Sequence, residues 1–426
     1  MKPLWQAKLR KKEGPMTGRV GLSWIVESMM HFGIKQIVES KMPVHANRSI
    51  EAWEKVVTGV MLHISGADCV EDIEILRSDK GLLKSIGRKT LPCPDTYLNF
   101  LEDKRTGAQV RQVIQSVVIK VMKKSKESEF TYDNDATYFN SDKDSATYSY
   151  KKEKQFSALL GTVPELSGLC VTMDYRPGNV SPAKGILNQL RKMVLMSAKA
   201  KKKVARFRSD SAAHNLDIFL YCEKQDIKFF VSLDRNAVTL SEAKDIAPSK
   251  WNPVPERTGV EWAESMYAMA QGKKKKLAMR TLVLRWKDPQ PDLFSDGFCY
   301  HTIATNDWDI QPLNWLAFHN GRMGSENINK ELKHGFSACY TPSHSFDKNR
   351  AFFMMATLAY NITQIFKLFY LGLSAVTWTI KTLRYRFICV LASFTTHARS
   401  ISCDFINIPD YIFTLFKRCQ AQWAGS

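Results

Sequence analysis

Two acidic runs in this sequence lie where short apolar stretches end. Residues 130–135 read as a strand that closes in Tyr132-Asp133-Asn134-Asp135-Ala136-Thr137. Residues 204–209 read as another, closing in Arg206-Phe207-Arg208-Ser209-Asp210-Ser211. Strand residues i and i+2 share a face, so Asp133 and Asp135 point the same way. Carboxylates converging from separate strands suit Mg²⁺, which prefers hard oxygen ligands and keeps several waters. Two such ions about 4 Å apart stabilise both the attacking and the leaving oxygen of a phosphodiester. Asp135 and Asp210 are the candidate ligands, with Asp133 an alternative to Asp135. Either Asp alone would read as a cap or turn residue; the pair at two strand ends favours metal.

A third acidic group stands in a basic setting. From His319, offsets of 3, 7 and 14 lead to Arg322, Glu326 and Lys333. On one continuous helix those four side chains fall within about 60° of one another. Such a face presents an imidazole, a guanidinium, a carboxylate and an ammonium. The carboxylate suits a metal; the cations beside it suit a phosphate. A solvated charged face is the plainer alternative. Gly321 and Gly324 disfavour helix, so the helix could start only at Ser325. Gly335 reads as its C-cap.

Positioning these groups takes several elements. Residues 1–120 carry helical periodicity and read as a helical DNA-binding domain, or as a plain helical bundle. Asp95 or Thr96 could cap a helix over 97–102. From 130 the pattern becomes β-β-β-α-β-α-β: strands over 130–135, 156–163 and 169–175, a helix from Ser181-Pro182 to about 200, a strand over 204–209, a helix over 213–223 and a strand over 228–233. That order predicts an α/β fold, an RNase H-like mixed sheet with helices on both faces. Its strands carrying Asp135 and Asp210 are neighbours. The predicted domains are 1–120; a catalytic core of 121–235 and 310–370; a β-rich insertion, 236–309, holding Trp251, Trp262, Trp286 and Trp308; and a helical C-terminal region, 371–426.

Composition narrows the function. The chain has 426 residues, 44% hydrophobic, which excludes wholesale disorder. Its formal charge of +19 favours a polyanionic partner. Basic clusters at Lys123-Lys124, Lys151-Lys152, 199–208 and Lys273–Lys276 add phosphate-binding candidates. Nine scattered cysteines without a C-x-x-C pair give neither a zinc framework nor a disulfide scaffold. The basic start (Lys8, Arg10, Lys11, Lys12) has no apolar core behind it and is not a secretory signal. The apolar stretch 351–380 is interrupted by Lys367 and reads as buried helices rather than a membrane span.

In this order the blocks resemble the DDE transposases of bacterial insertion sequences, in the branch with a Tyr-x2-Arg-x3-Glu-x6-Lys signature; Arg322, Glu326 and Lys333 match its spacing. His319 stands where that branch has Tyr. Asp-x-Thr at Asp135, Arg-x-Asp-Ser at Asp210, Gly21-Leu22, Glu71-Asp72-Ile73, residues 91–101, Arg176-Pro177-Gly178-Asn179 and Asn361 match further blocks. The resemblance spans roughly 18–370. It implies an RNase H-like core, Mg²⁺ (or Mn²⁺), and a β-rich insertion between Asp210 and Glu326. It implies cut-and-paste transposition by a homodimer holding two double-stranded transposon ends and a target, in a cytoplasmic, nucleoid-associated protein without a membrane. In that scheme Asp135 bridges two ions, Asp210 and Glu326 complete one site each, and His319, Arg322 and Lys333 contact DNA. The branch also carries an insertion aromatic that stacks an extracted base, here Trp286 or else Trp308. The competing expectation is an inactive relic acting as a sequence-specific repressor; intact Asp135, Asp210 and Glu326 argue against it.

Overall fold

The computed structural model describes residues 14–42, 50–255, 257–271, 275–291, 296–397 and 400–424. The basic start of the chain and Lys273 and Lys274 of the Lys273–Lys276 cluster lie outside them. The chain divides into two units, Met1–Val113 with Glu331–Ser426, and Ile114–Lys330. The helix α1 (Thr106–Lys124) runs across the first division.

Ile114–Lys330 is built on one ten-stranded sheet. Its first three long strands form the expected meander: β1 (Glu129–Asn140), β2 (Lys154–Val163) and β3 (Leu169–Pro177). β1 and β3 flank β2, both antiparallel to it. The chain then crosses through α2 (Ile186–Lys199) to β4 (Lys203–Ser209), and through α3 (Leu216–Lys224) to β5 (Lys228–Ser232). β4 lies parallel to both β1 and β5. The mixed order β3-β2-β1-β4-β5 is the one the β-β-β-α-β-α-β pattern predicts.

Apolar spacing explains the layers. Ile186, Leu190 and Met193 recur at helical period and are buried where α2 packs on the sheet. Phe219 of α3 stacks on Phe229 of β5 with ring centroids 4.4 Å apart. Under α2 the sheet is polar as well as apolar. Asn134 Nδ2 donates to Gln189 Oε1 at 2.9 Å, and Gln189 Nε2 to the Leu159 carbonyl at 3.0 Å, which pins helix to strands. Alternation along β1 sends Asn134 to this face, and Asp133 and Asp135 to the opposite one.

The 236–309 segment continues the same sheet. After α4 (Ala237–Lys244), strands β6 (Val260–Gln271) and β7 (Lys275–Lys287) form a long antiparallel pair. β8 (Phe298–Thr305) pairs with β7 on one side and with β5 on the other, Ile303 opposite Ser232. In the sequence only the apolar runs Leu282-Val283-Leu284 and 298–303 mark strands here, parts of β7 and β8, and nothing marks β6. Trp262 and Trp286 pack with Phe230, Leu282, Leu284 and the buried Trp315. Trp251 lies under the Arg285 guanidinium, 4.1 Å from its ring centroid. Trp308 differs from them, being 55% exposed.

In the other unit, the helices Val20–His31, Ala52–Ser65 and Pro94–Glu102 gather with the helix Phe346–Phe366. Pro94 supplies the first turn of its helix and Cys93 takes the N-cap position, so neither Asp95 nor Thr96 caps it. The segment Phe346–Leu371 is long and apolar enough to cross a membrane, but 89% of its apolar window is buried in the protein, as the sequence predicts. Lys367 is buried there too, its Nζ donating to the Trp378 carbonyl at 2.7 Å. The C-terminal region is not wholly helical. Ala392–His397 and Ser400–Phe405 pair antiparallel, and Met16–Thr17 joins them as a third strand. Alternating Thr, Ser and Phe residues carry that hairpin.

Candidate active site

β1 and β4 run side by side in parallel register, Asp133 opposite Arg208 and Asn134 opposite Ser209. One step further along both strands lie Asp135 and Asp210, neighbours despite the chain between them. Asp210 leaves β4 extended and turns the chain, its Oδ1 accepting from Ala212 N at 3.0 Å. It is therefore a cap residue as well as a candidate ligand.

Asp133 and Asp135 share a face but not an environment. Asp133 is 2% exposed and locked by Arg208, whose Nε and Nη2 donate to its two oxygens at 2.6 and 2.7 Å. The same guanidinium donates through Nη1 to the Phe318 carbonyl at 2.6 Å. A carboxylate held bidentately in the interior is a structural ion pair. Asp135 keeps 13% of its side chain exposed. Its Oδ2 accepts from Asn329 Nδ2 at 2.7 Å, and its Oδ1 from Arg322 Nη1 at 3.4 Å. Of the two, Asp135 is open to a ligand.

The His319–Lys333 run does not form one helix. α5 (Pro312–Asn320) ends at Gly321, the chain turns, and α6 (Met323–Lys330) begins. A π-turn, Glu331–Gly335, follows and carries Lys333 in the helical unit. The single face expected from the spacing is therefore divided. Gly321 has a close-packing reason to be glycine: a Cβ there would stand 2.5 Å from Arg208 Nη1. α6 docks on β1 by matched repeats. Ser325 and Asn329 are one helical turn apart, about 6 Å along the axis. Asp133 and Asp135 are two strand residues apart, about 7 Å. Ser325 Oγ accordingly meets Asp133 Oδ2 at 3.4 Å while Asn329 meets Asp135. This docking sets Glu326 beside the strand carboxylates, half exposed, with Arg322 Nη2 3.7 Å from its Oε1.

His319 faces the other way. It is 5% exposed, with Nε2 3.1 Å from Ser232 Oγ and Nδ1 3.3 Å from the Phe230 carbonyl. Burial, followed by the positive surroundings of His301 and Arg322, depresses its pKa to about 3, so the imidazole is neutral. It is a floor group tying α5 to β5, and its placement does not present it to a phosphate.

Electrostatics link the carboxylates. Burial foremost, together with the charges of Asp210 and Glu326, raises the Asp135 pKa to about 6 against the opposing pull of Arg322. A cluster that resists its own ionisation calls for a cation, and an all-oxygen donor set fits a hard divalent one. Among the described residues, the trio whose ligand atoms all lie within 4.8 Å of one another is Asp68, Cys69 and Asp72 in the helical unit. Asp135, Asp210 and Glu326 are spaced more widely than that trio. Asn329, Ser325 and Arg208 are the site residues that sequence reasoning missed. Asn329 had a usable signal, since it lies one turn from Ser325 on the side of Glu326.

The chain matches the family of transposase DDE domains, group 1, over residues 8–412. It belongs to the DDE transposases. DDE transposases use divalent metal ions generally. No curated protein matches the chain. Among solved structures it is similar to a piggyBac transposase in a synaptic complex with hairpin DNA, at 12% identity and a TM-score of 0.45, covering 88% of this chain and 80% of that one. The family assignment rests on the match over 8–412.

Proposed function

We propose that this transposase performs cut-and-paste DNA transposition, with Asp135, Asp210 and Glu326 as its metal-dependent strand-cleavage and strand-transfer centre. The observation that carries the reading is their convergence: two Asp at adjoining ends of parallel strands and a Glu from the helix docked across them. When bound, Mg²⁺, or Mn²⁺ in its place, supplies positive charge to the scissile phosphate and activates the attacking oxygen.

The chain's own residues prepare that chemistry. Asn329 orients Asp135, and the Arg208–Asp133 pair fixes the two strands beneath it. Arg322, within 4 Å of both Asp135 and Glu326, is assigned to donate to a DNA phosphate, and Lys333 is assigned the same task. The surplus of 61 Lys and Arg over 42 Asp and Glu supports binding to two transposon ends and a target duplex. We assign it to the insertion-sequence branch with the Arg-Glu-Lys signature, acting as a homodimer on the nucleoid in the cytoplasm.

The test is an end-joining assay. Purified protein, a duplex carrying one end of its element and a supercoiled plasmid are incubated with Mg²⁺. The reading expects a flush cut at the element boundary and joined product, both abolished by EDTA. DNA binding without any cut in Mg²⁺ or Mn²⁺ would leave a repressor instead.

A further inference from the structure

The two arginines of the site are held in contrasting ways. Arg208 grips Asp133 at 2.6 and 2.7 Å and anchors to a backbone carbonyl as well. Its side chain is 6% exposed. Arg322 reaches two different carboxylates, Asp135 at 3.4 Å and Glu326 at 3.7 Å, beyond the 2.7–2.9 Å of a tight charge-assisted bond. It sits in the turn between α5 and α6. One arginine is therefore locked by short bonds to a single carboxylate, and the other is shared loosely between two carboxylates.

We infer that Arg322 is an exchangeable counter-ion: without DNA it occupies the carboxylate cluster, and a DNA phosphate draws it off so that Asp135 and Glu326 take divalent cation at full affinity. The inference rests on the metal-centre reading above. A guanidinium and a metal ion compete for the same oxygens, because each satisfies the same excess of negative charge. A phosphate binds guanidinium at least as well as a carboxylate does, so DNA shifts that competition. Asp135 does not lose its orientation in the exchange, because neutral Asn329 holds its other oxygen at 2.7 Å. The device makes metal loading follow DNA binding, which keeps an idle nuclease under-loaded. Binding of the two is then reciprocally coupled.

The test measures metal directly. Mn²⁺ is titrated into the intact protein and free ion is read by electron paramagnetic resonance. Each titration is run with and without a 5′-phosphorylated duplex from the element's end, and the duplex alone is titrated as a blank. Without DNA, Arg322→Ala and Arg322→Gln should bind Mn²⁺ about tenfold more tightly than wild type, as expected for losing a partly exposed competing cation. The duplex should tighten wild type by a similar factor and leave both variants nearly unchanged. Equal or weaker DNA-free affinity in the variants would overturn the inference. Asp210→Ala separates this failure from the larger one: if wild type binds no more Mn²⁺ than Asp210→Ala in either state, the metal-centre reading itself is wrong.

Discussion

Arg208 gives the account its most quantitative consequence. Replacing it with Met leaves Asp133 as an unpaired carboxylate that is 2% exposed. Two charge-assisted bonds to Asp133 and one to the Phe318 carbonyl disappear together. The contact of the guanidinium with the Phe318 ring, 4.6 Å from its centroid, goes as well. Removing one partner of a buried pair costs about 3–5 kcal/mol, because the remaining charge is left without compensation. At roughly 2–4 °C per kcal/mol for a unit of this size, Tm falls by about 6–20 °C. The double variant Arg208→Met with Asp133→Leu buries no charge, and apolar replacement of a buried pair is often close to neutral. Calorimetry or urea unfolding of wild type, single and double variants at one pH measures both differences. A single-variant loss under about 1 kcal/mol, the range of an exposed pair, would refute the reasoning. So would a double variant no more stable than the single.

Three further outcomes follow from the same geometry. Asn329→Ala removes the donor that orients Asp135, so cleavage should fall about 10–100-fold while Tm changes little, as for other groups that orient a ligand; rate and melting measured together check the split. Gly321→Ala places a methyl against Arg208 Nη1 and should cost about 1–3 kcal/mol by overpacking, read from the shift in urea midpoint. His319, neutral in the fold with a pKa of about 3 and near 6.5 when unfolded, is protonated first in the unfolded state. Its contribution is complete above about pH 6.5 and is lost as pH falls toward 3, so His319→Gln should flatten the decline of Tm in that window; an unchanged slope would show that the imidazole is not buried neutral.

The mixed sheet was legible because local signals agreed. Alternation in β1, the Pro-Gly turn after β3 and the helical spacing of Ile186 and Leu190 each named an element, and their order named the topology. The two Asp could be paired because strand order makes β1 and β4 neighbours. What stayed hidden depends on partners far along the chain. Arg208 is 110 residues from the Phe318 carbonyl it binds, and no local pattern announces that. Periodicity drew Arg322, Glu326 and Lys333 onto one helix with His319, but the chain turns at Gly321, one of the two glycines that disfavour helix there, and that helix divides. His319 was put on a DNA-facing surface by its spacing from Arg322; its hydrogen bonds to Ser232 and the Phe230 carbonyl of β5 hold it inside instead. β6 was missed too: Glu261, Glu264 and Ser265 interrupt its apolar residues, and it takes its strand form from a long hairpin with β7, Gln271 opposite Lys275.

The claim that matters most is that three carboxylates act as one centre. It is tested by single-turnover cleavage of end DNA by Asp135→Ala, Asp210→Ala and Glu326→Ala, each first shown to melt and to bind the duplex like wild type. The account predicts that every one of the three loses cleavage, by at least about a thousandfold, as expected when a metal ligand carrying most of the electrostatic stabilisation is removed. Wild-type cleavage by any one of Asp135→Ala, Asp210→Ala or Glu326→Ala would contradict it.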